Sequence, residues 1–368
     1  QFPDEIIENL EHLLQKTGHA PLIVRSSSLL EDSYGTSFAG KYDSYFCANQ
    51  GSPEENLAAL TLAIKQIYAS VYSPDALLYR KQMGVLDYSE RMAILIQLVE
   101  GEQTGHWFFP EIAGVAFSRN PFRWTPRIKP TDGLVRLVCG LGTRAVDRTD
   151  DYPRMVALSH PELRPEVDAA TIRHYSQKKI DLLNLKTNRL ETHPITAVLH
   201  SRLPWIQLLA KQHSDDNLQK LLMLNQNVDP ASLVLTFDPM IQQTEFVPHV
   251  KHMLTTLSKH YDTAVDVEFT ARVIQEGKTP KVDLCLVQCR PQSYRRDHAT
   301  ETIPPDIEEA DKVLGTHSMV PDGRVDGITF IVVVPLAEYD ALVDPVKKIE
   351  IRHVIGRLNH TLQAEPFV

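Results

Sequence analysis

Val265-Asp266-Val267-Glu268-Phe269, and after it Leu284-Cys285-Leu286-Val287-Gln288-Cys289-Arg290, set the kind of fold this chain adopts. Side chains alternate along a strand, so Val265, Val267 and Phe269 share one face and both carboxylates share the other. Gln288 and Arg290, two residues apart, also share a face, and hairpin pairing would set them across from Asp266 and Glu268. Two readings stand for this arrangement. In one, the two carboxylates repel until a cation lies between them, and a carboxylate pair with an amide oxygen makes a hard-oxygen set suited to Mg²⁺, with the guanidinium offsetting phosphoryl charge. In the other, the strand has a solvated acidic face and Arg290 makes an ordinary cross-strand ion pair.

Upstream of this hairpin, Val250, Met253, Leu254, Leu257 and Tyr261 recur at helical spacing and predict a long helix leading into it. At the other end, Pro3 and Gly18 bracket Ile6, Leu10, Leu13 and Leu14 as a first helix. Residues 21–24 read as a short buried strand, and the polar stretch 25–40 as a loop. Its Arg25-Ser26-Ser27-Ser28 is a plain turn, a phosphorylation site in a flexible loop, or a place where small residues let backbone amides approach an anion that Arg25 clamps. Ser52 with Glu55 forms a capping box ahead of Leu57, Leu60, Ile64, Ile67 and Val71, one apolar helix face. Residues 92–98, 112–118 and 134–139 are branched-rich runs expected to be three strands of a mixed sheet, and 180–185 a strand in a peripheral lobe. Polar residues 293–305, with Pro304 and Pro305, read as a linker. Beyond it, 328–334 predicts a strand and 346–362 an amphipathic end.

The composition narrows the function classes. With 43% apolar and 23% charged residues in 368, the chain matches ordinary globular proteins and has no run long enough to span a bilayer. A net charge of -9 gives no electrostatic case for nucleic acid or an anionic membrane as the partner. Cys47, Cys139, Cys285 and Cys289 form no CxxC pair and are expected as reduced thiols. No export signal is visible near Gln1, so a cytoplasmic location is the default, and the lack of an initiator Met suggests a piece of a longer protein.

Several of these runs, taken in order, carry a resemblance. Arg25-Ser26-Ser27-Ser28, Glu31-Asp32 and Ser37-Phe38-Ala39-Gly40 resemble the arginine-serine-serine, glutamate-aspartate and serine-phenylalanine-alanine-glycine signature of phosphoenolpyruvate synthases. Tyr79-Arg80, the strand ending at Gln97, Gly114 to Pro121, Gly140-Leu141-Gly142, Asp266-Val267-Glu268 and Gln288-Cys289-Arg290-Pro291 follow in family order. The chain thus resembles the nucleotide end of the phosphoenolpyruvate synthase and pyruvate phosphate dikinase family. The resemblance implies an α+β fold of ATP-grasp type with mixed or antiparallel sheets, its two lobes holding ATP and Mg²⁺, and transfer of phosphate from ATP to a histidine on a mobile domain. It implies lobes at 1–100 and 101–292, an insertion at about 143–235, the linker 293–305 and the start of a further domain at 306–368. It assigns Arg25 to the phosphates with Arg80 assisting, and Asp266, Glu268 and Gln288 to magnesium and phosphate. Arg290 is their partner arginine, and Gln97 lies near the adenine hinge. For Arg119, a structural place in the turn before Pro121 and a functional one are both open.

The sequence also departs from that family. No glycine-rich, lysine-bearing segment precedes Arg25, and Lys16 on a helix end is no substitute. His317 lacks the surroundings of a phosphoacceptor, while 323–328 resembles the opening of a phosphohistidine domain. The leading expectation is therefore an ATP- and Mg²⁺-binding phosphotransferase module. Its partner is a phosphohistidine-carrying domain in cis or trans, with pyruvate or phosphoenolpyruvate reached through other domains. The alternatives are a nucleotide-sensing scaffold without turnover, and a dikinase acting on a glucan or an antibiotic.

Overall fold

The computed structural model describes residues 2–31, 42–82, 84–87, 90–120, 122–125, 127–146, 151–221, 228–274, 280–292, 307–308, 310, 312, 320–321, 330–342 and 344–361. Asp32, the 37–40 signature, the 293–305 linker, His317 and the 323–328 segment lie outside these residues. Contacts divide the chain into two units, one of residues 1–296 with 307–321 and one of 297–306 with 322–368.

The first unit begins with α1 (Asp4–Thr17), β1 (Leu22–Ser28), β2 (Ser44–Cys47), α2 (Pro53–Ser70), α3 (Pro74–Gln82) and β3 (Met92–Leu98). The capping box predicted at Ser52 and Glu55 is present, with each side chain bonded to the other's backbone N–H. Strand order is β2-β1-β3, antiparallel throughout, and Leu10, Leu60, Ile64 and Ile67 of the helices pack with Leu22 and Val24. Arg25 to Ser28 extend β1, where a loop was expected. Ser26, Ser27 and Ser28 pair with Ile94, Ala93 and Met92 of β3, and this ladder outweighs their polar composition.

There follow β4 (Glu102–Thr104), β5 (Trp107–Phe109), β6 (Ile112–Phe117), β7 (Phe122–Arg123), β8 (Leu134–Val138), α4 (Thr143–Val146) and β9 (Arg154–Ala157), then α5 (Ala169–His174), β10 (Lys179–Asn184) and β11 (Arg189–Pro194). Next come α6 (Ile195–Val198), α7 (Ile206–Leu209), β12 (Ala210–Ser214), β13 (Asn217–Lys220), β14 (Leu233–Leu235), α8 (Asp238–Gln243), α9 (Phe246–Tyr261), β15 (Val265–Ile274), β16 (Lys281–Pro291) and β17 (Val320–Pro321). The main sheet runs β16-β15-β6-β8-β9, again antiparallel, so β3 belongs to a different sheet from the 112–117 and 134–138 strands with which it was grouped.

Along β15 the alternation holds: Val265, Val267 and Phe269 are buried, while Asp266 and Glu268 face the other side. Val250 and Leu254 of α9 close over the apolar face, and the Phe246 ring meets Phe269 at 6.0 Å between centroids. Tyr261, assigned to the same helix face, is 42% exposed at the last turn, where the helix ends on Asp262 in a left-handed conformation. A β-bulge interrupts the β15–β16 ladder: Glu268 pairs with Gln288 but Phe269 with Leu286, leaving Val287 unopposed.

The second unit holds α10 (Leu336–Ala341) and α11 (Pro345–Thr361), the latter covering the amphipathic end predicted from the sequence. Residues 331–334 form no strand, although their branched side chains predicted one. Ile331, Val333 and Val334 are exposed, and among the described residues no strand pairs with them, so β-propensity alone does not make a sheet. No helix among the described residues is long and apolar enough to cross a membrane, and all four cysteines are free thiols.

Candidate nucleotide site

The polar faces of β1, β15 and β16 border a cavity of about 370 Å³, within the range of ordinary ligand pockets. Alternation in β1 buries Leu22 and Val24 and turns Ile23 and Arg25 towards it. Its lining includes the apolar residues Ile23, Phe46, Leu98, Val99 and Pro110 and the carboxylates of Glu31, Asp43 and Glu100. It also includes Arg25, Glu268, Gln288 and Arg290. A lining of both kinds suits a ligand with apolar and charged parts.

Arg25 Nη2 donates to Glu268 Oε2 at 2.7 Å, with both side chains largely buried. Arg290 lies 3.6 Å from Glu268 Oε1 through Nη2 and 3.5 Å from Asp266 Oδ1 through Nε. The hairpin register accounts for this: Asp266 is opposite Arg290 and Glu268 opposite Gln288. Gln288 Oε1 is buried and accepts no hydrogen bond. A buried amide oxygen without a donor is costly, and beside two carboxylates it completes a set of hard oxygen ligands. Among the described residues there is no group of three or more His, Cys, Asp and Glu placed to hold a metal ion, so any cation here would take the amide and ligand oxygens as well.

Of the residues singled out in the sequence, Arg25, Asp266, Glu268, Gln288 and Arg290 come together. Gln97 stands one residue from the cavity wall: its Nε2 donates to the carbonyl of the bulge residue Val287 at 3.4 Å, its Oε1 is buried without a donor, and its neighbours Leu98 and Val99 line the cavity. Asp266 joins the group through Arg290 without lining the cavity, and Arg80 stands apart from it. Arg80 is 5% exposed, its Nη2 donates to the Leu86 carbonyl at 3.0 Å, and it is not among the residues lining the cavity. That bond closes the turn after α3, and the guanidinium also lies close to the cavity-lining Tyr42, whose phenol burial pushes up to about 12. Arg119 serves its turn through the backbone, exchanging hydrogen bonds with the Gln292 amide.

Sequence reasoning passed over Ile23, Phe46, Leu141, Gly142 and Thr143 as cavity-lining residues. For Ile23 the signal was present, since it shares the strand face of Arg25.

Residues 1–311 match the family described as pyruvate phosphate dikinase, AMP/ATP-binding domain. The chain belongs to this family. As an AMP/ATP-binding domain of α+β architecture, it is similar to the uncharacterized phosphotransferase YvkC of Bacillus subtilis, 33% identical over 148 residues, which is 39% of this chain and 16% of that protein. It is also similar to the rifampicin phosphotransferases of Streptomyces sviceus, 31% identical over 32% of this chain and 12% of the relative, and of Bacillus cereus, 29% identical over 36% and 14%. The domain therefore spans only a small part of the length of the curated relatives it matches.

Proposed function

We propose that this chain is the nucleotide end of a phosphotransferase, binding ATP with Mg²⁺ and supporting transfer of phosphate from ATP to a histidine on a mobile domain, in cis or in trans. The observation that carries this reading is that Arg25 and Arg290 converge on Glu268, opposite Gln288 with its unsatisfied Oε1, in one cavity that apolar residues also line. In this reading residues 1–100 and 101–292 are the two lobes, 143–235 is an insertion in the second, and 306–368 opens a further domain.

Asp266, Glu268 and Gln288 would hold Mg²⁺, which when bound neutralises part of the polyphosphate charge. Arg25 and Arg290 turn from the carboxylates to the phosphates and offset charge on the group being transferred. The apolar residues take the base, and Gln97 supports the β3 segment beside them. Among acceptors, the two relatives named as rifampicin phosphotransferases favour a non-pyruvate acceptor as the second reading.

Calorimetric titration with ATP, with and without Mg²⁺, tests the site. Binding should require Mg²⁺ and vanish in Glu268→Ala. Unchanged affinity in a folded Glu268→Ala chain would sink the proposal.

A further inference from the structure

One wall of the cavity is the turn Leu141-Gly142 after β8 with Thr143, the first residue of α4. Little of its own side-chain bulk holds it in place. Its support comes from β10, a strand about forty residues further on, within the stretch read as an insertion. There, one residue makes three contacts with the turn and its flank. Leu141 N–H donates to the Asp181 carbonyl at 3.0 Å, Thr143 Oγ1 to Asp181 Oδ2 at 2.6 Å, and Arg144 Nη2 to Asp181 Oδ1 at 3.0 Å.

Asp181 is itself fixed. Thr192 Oγ1, on the neighbouring strand β11, donates to Oδ1 at 2.6 Å. Arg144 is buried and shared with Asp151 at 3.4 Å, and Asp151 accepts the N–H groups of Lys178 and Lys179 at the start of β10. The geometry of the turn depends on this closeness. Gly140 has φ +105°, and a Cβ there would come within 2.7 Å of the Asp181 carbonyl oxygen, so only glycine lets Leu141 reach that oxygen. Gly142 rides directly over Ala113 of the main sheet, with 3.2 Å available between a Cβ at 142 and that of Ala113.

We infer that Asp181 is a positioning residue of the nucleotide site: through Thr143, Arg144 and the Leu141 amide it sets the height of the glycine turn over the sheet, and with it the width of the cavity opposite Arg25 and Glu268. This inference rests on the nucleotide reading given above. A largely covered carboxylate that accepts two hydroxyls and a guanidinium holds its donors rigidly, because each partner left unmatched would carry a desolvation cost. Binding sites lose affinity when their supporting groups loosen, even where no contact to the ligand is removed.

The test is Mg·ATP titration calorimetry on the unchanged chain, Asp181→Asn, Thr143→Val and the double variant, with thermal melting as the check on folding. Asp181→Asn keeps an acceptor oxygen for only one of the two hydroxyls and removes the charge that holds Arg144. Affinity should fall by roughly tenfold in each single variant, and the double should be no worse than the weaker single, since both break one linkage. Independent, additive losses would overturn the inference, because a general structural weakening does not couple to Thr143. Thr192→Val, which removes one support of Asp181 from outside the cavity, should also weaken binding. Unchanged affinity in whichever of Asp181→Asn and Thr192→Val folds overturns the inference while leaving the nucleotide reading standing. Absence of Mg·ATP binding by the unchanged chain removes both.

Discussion

Arg25 and Glu268, 243 residues apart in sequence, meet at 2.7 Å in the candidate site. The ligand set proposed for a cation is thus already neutralised by the arginines proposed for phosphate. Mg²⁺ alone meets carboxylates that Arg25 and Arg290 occupy, and phosphates draw those arginines away. Metal and nucleotide should therefore bind cooperatively, each raising the other's affinity by the same factor. With Mn²⁺ as the probe, electron paramagnetic resonance should show binding roughly tenfold tighter in the presence of ATP. Arg25→Ala should tighten binding of the metal alone, and independence of metal and nucleotide would refute the coupling.

Gln288 carries a second expectation. Its Oε1 is buried without a donor, a standing cost in the folded chain that a ligand would relieve. Gln288→Leu should therefore hold or raise stability, by up to about 1 kcal/mol, while weakening Mg·ATP binding. Denaturant unfolding and calorimetry on the same variant check the two halves, and a loss of stability with intact binding would reverse the assignment.

Glu111 gives the fold a pH dependence away from the site. It is 8% exposed and accepts the Val273 N–H at 2.6 Å, and burial pushes its carboxyl up from 4.5 to about 7. The folded chain holds a proton there that the unfolded chain has released. Stability from this group is complete below about pH 4.5 and is lost as pH rises to about 7, a span worth on the order of 3 kcal/mol. Glu111→Gln, which keeps the acceptor, should flatten the stability profile between those limits and be the more stable chain at pH 8. A parallel decline in both chains would place the dependence elsewhere.

Gly140→Ala should destabilise the chain by about 2–3 kcal/mol, because it adds a Cβ both to a left-handed backbone and against the Asp181 carbonyl. Urea unfolding measures it, and a change below about 0.5 kcal/mol would mean that the turn relaxes freely.

The parts of this architecture that could be read from the sequence are those with a local period or a local cap. Asp266 and Glu268 alternate with three apolar residues, and Ser52 with Glu55 announces a helix start, so both were visible without a fold. Arg25 to Ser28 were not recognisable as strand, because their order comes from pairing with residues 92–95 and not from their own composition. Arg80 illustrates the reverse limit: a match in family order does not say which partners a guanidinium has, and here one of its nitrogens donates to the Leu86 carbonyl. The hold of Asp181 on the glycine turn depends on two segments about forty residues apart, and no periodicity within either one reveals it.

The bulge at Val287 gives β16 two reading frames. Below it, the even-numbered Val282 and Leu284 pack towards the core; above it, the even-numbered Gln288 and Arg290 stand beside the carboxylates while Cys289 turns inward. A single unbroken alternation would send either the apolar pair to the cavity or the amide and guanidinium to the core. Insertion or deletion of one residue within 285–288 would then shift one frame against the other, exchanging the chemistry of the strand's upper half while leaving its backbone pairing able to re-form. The strand should tolerate many substitutions along its length and almost no change in its length.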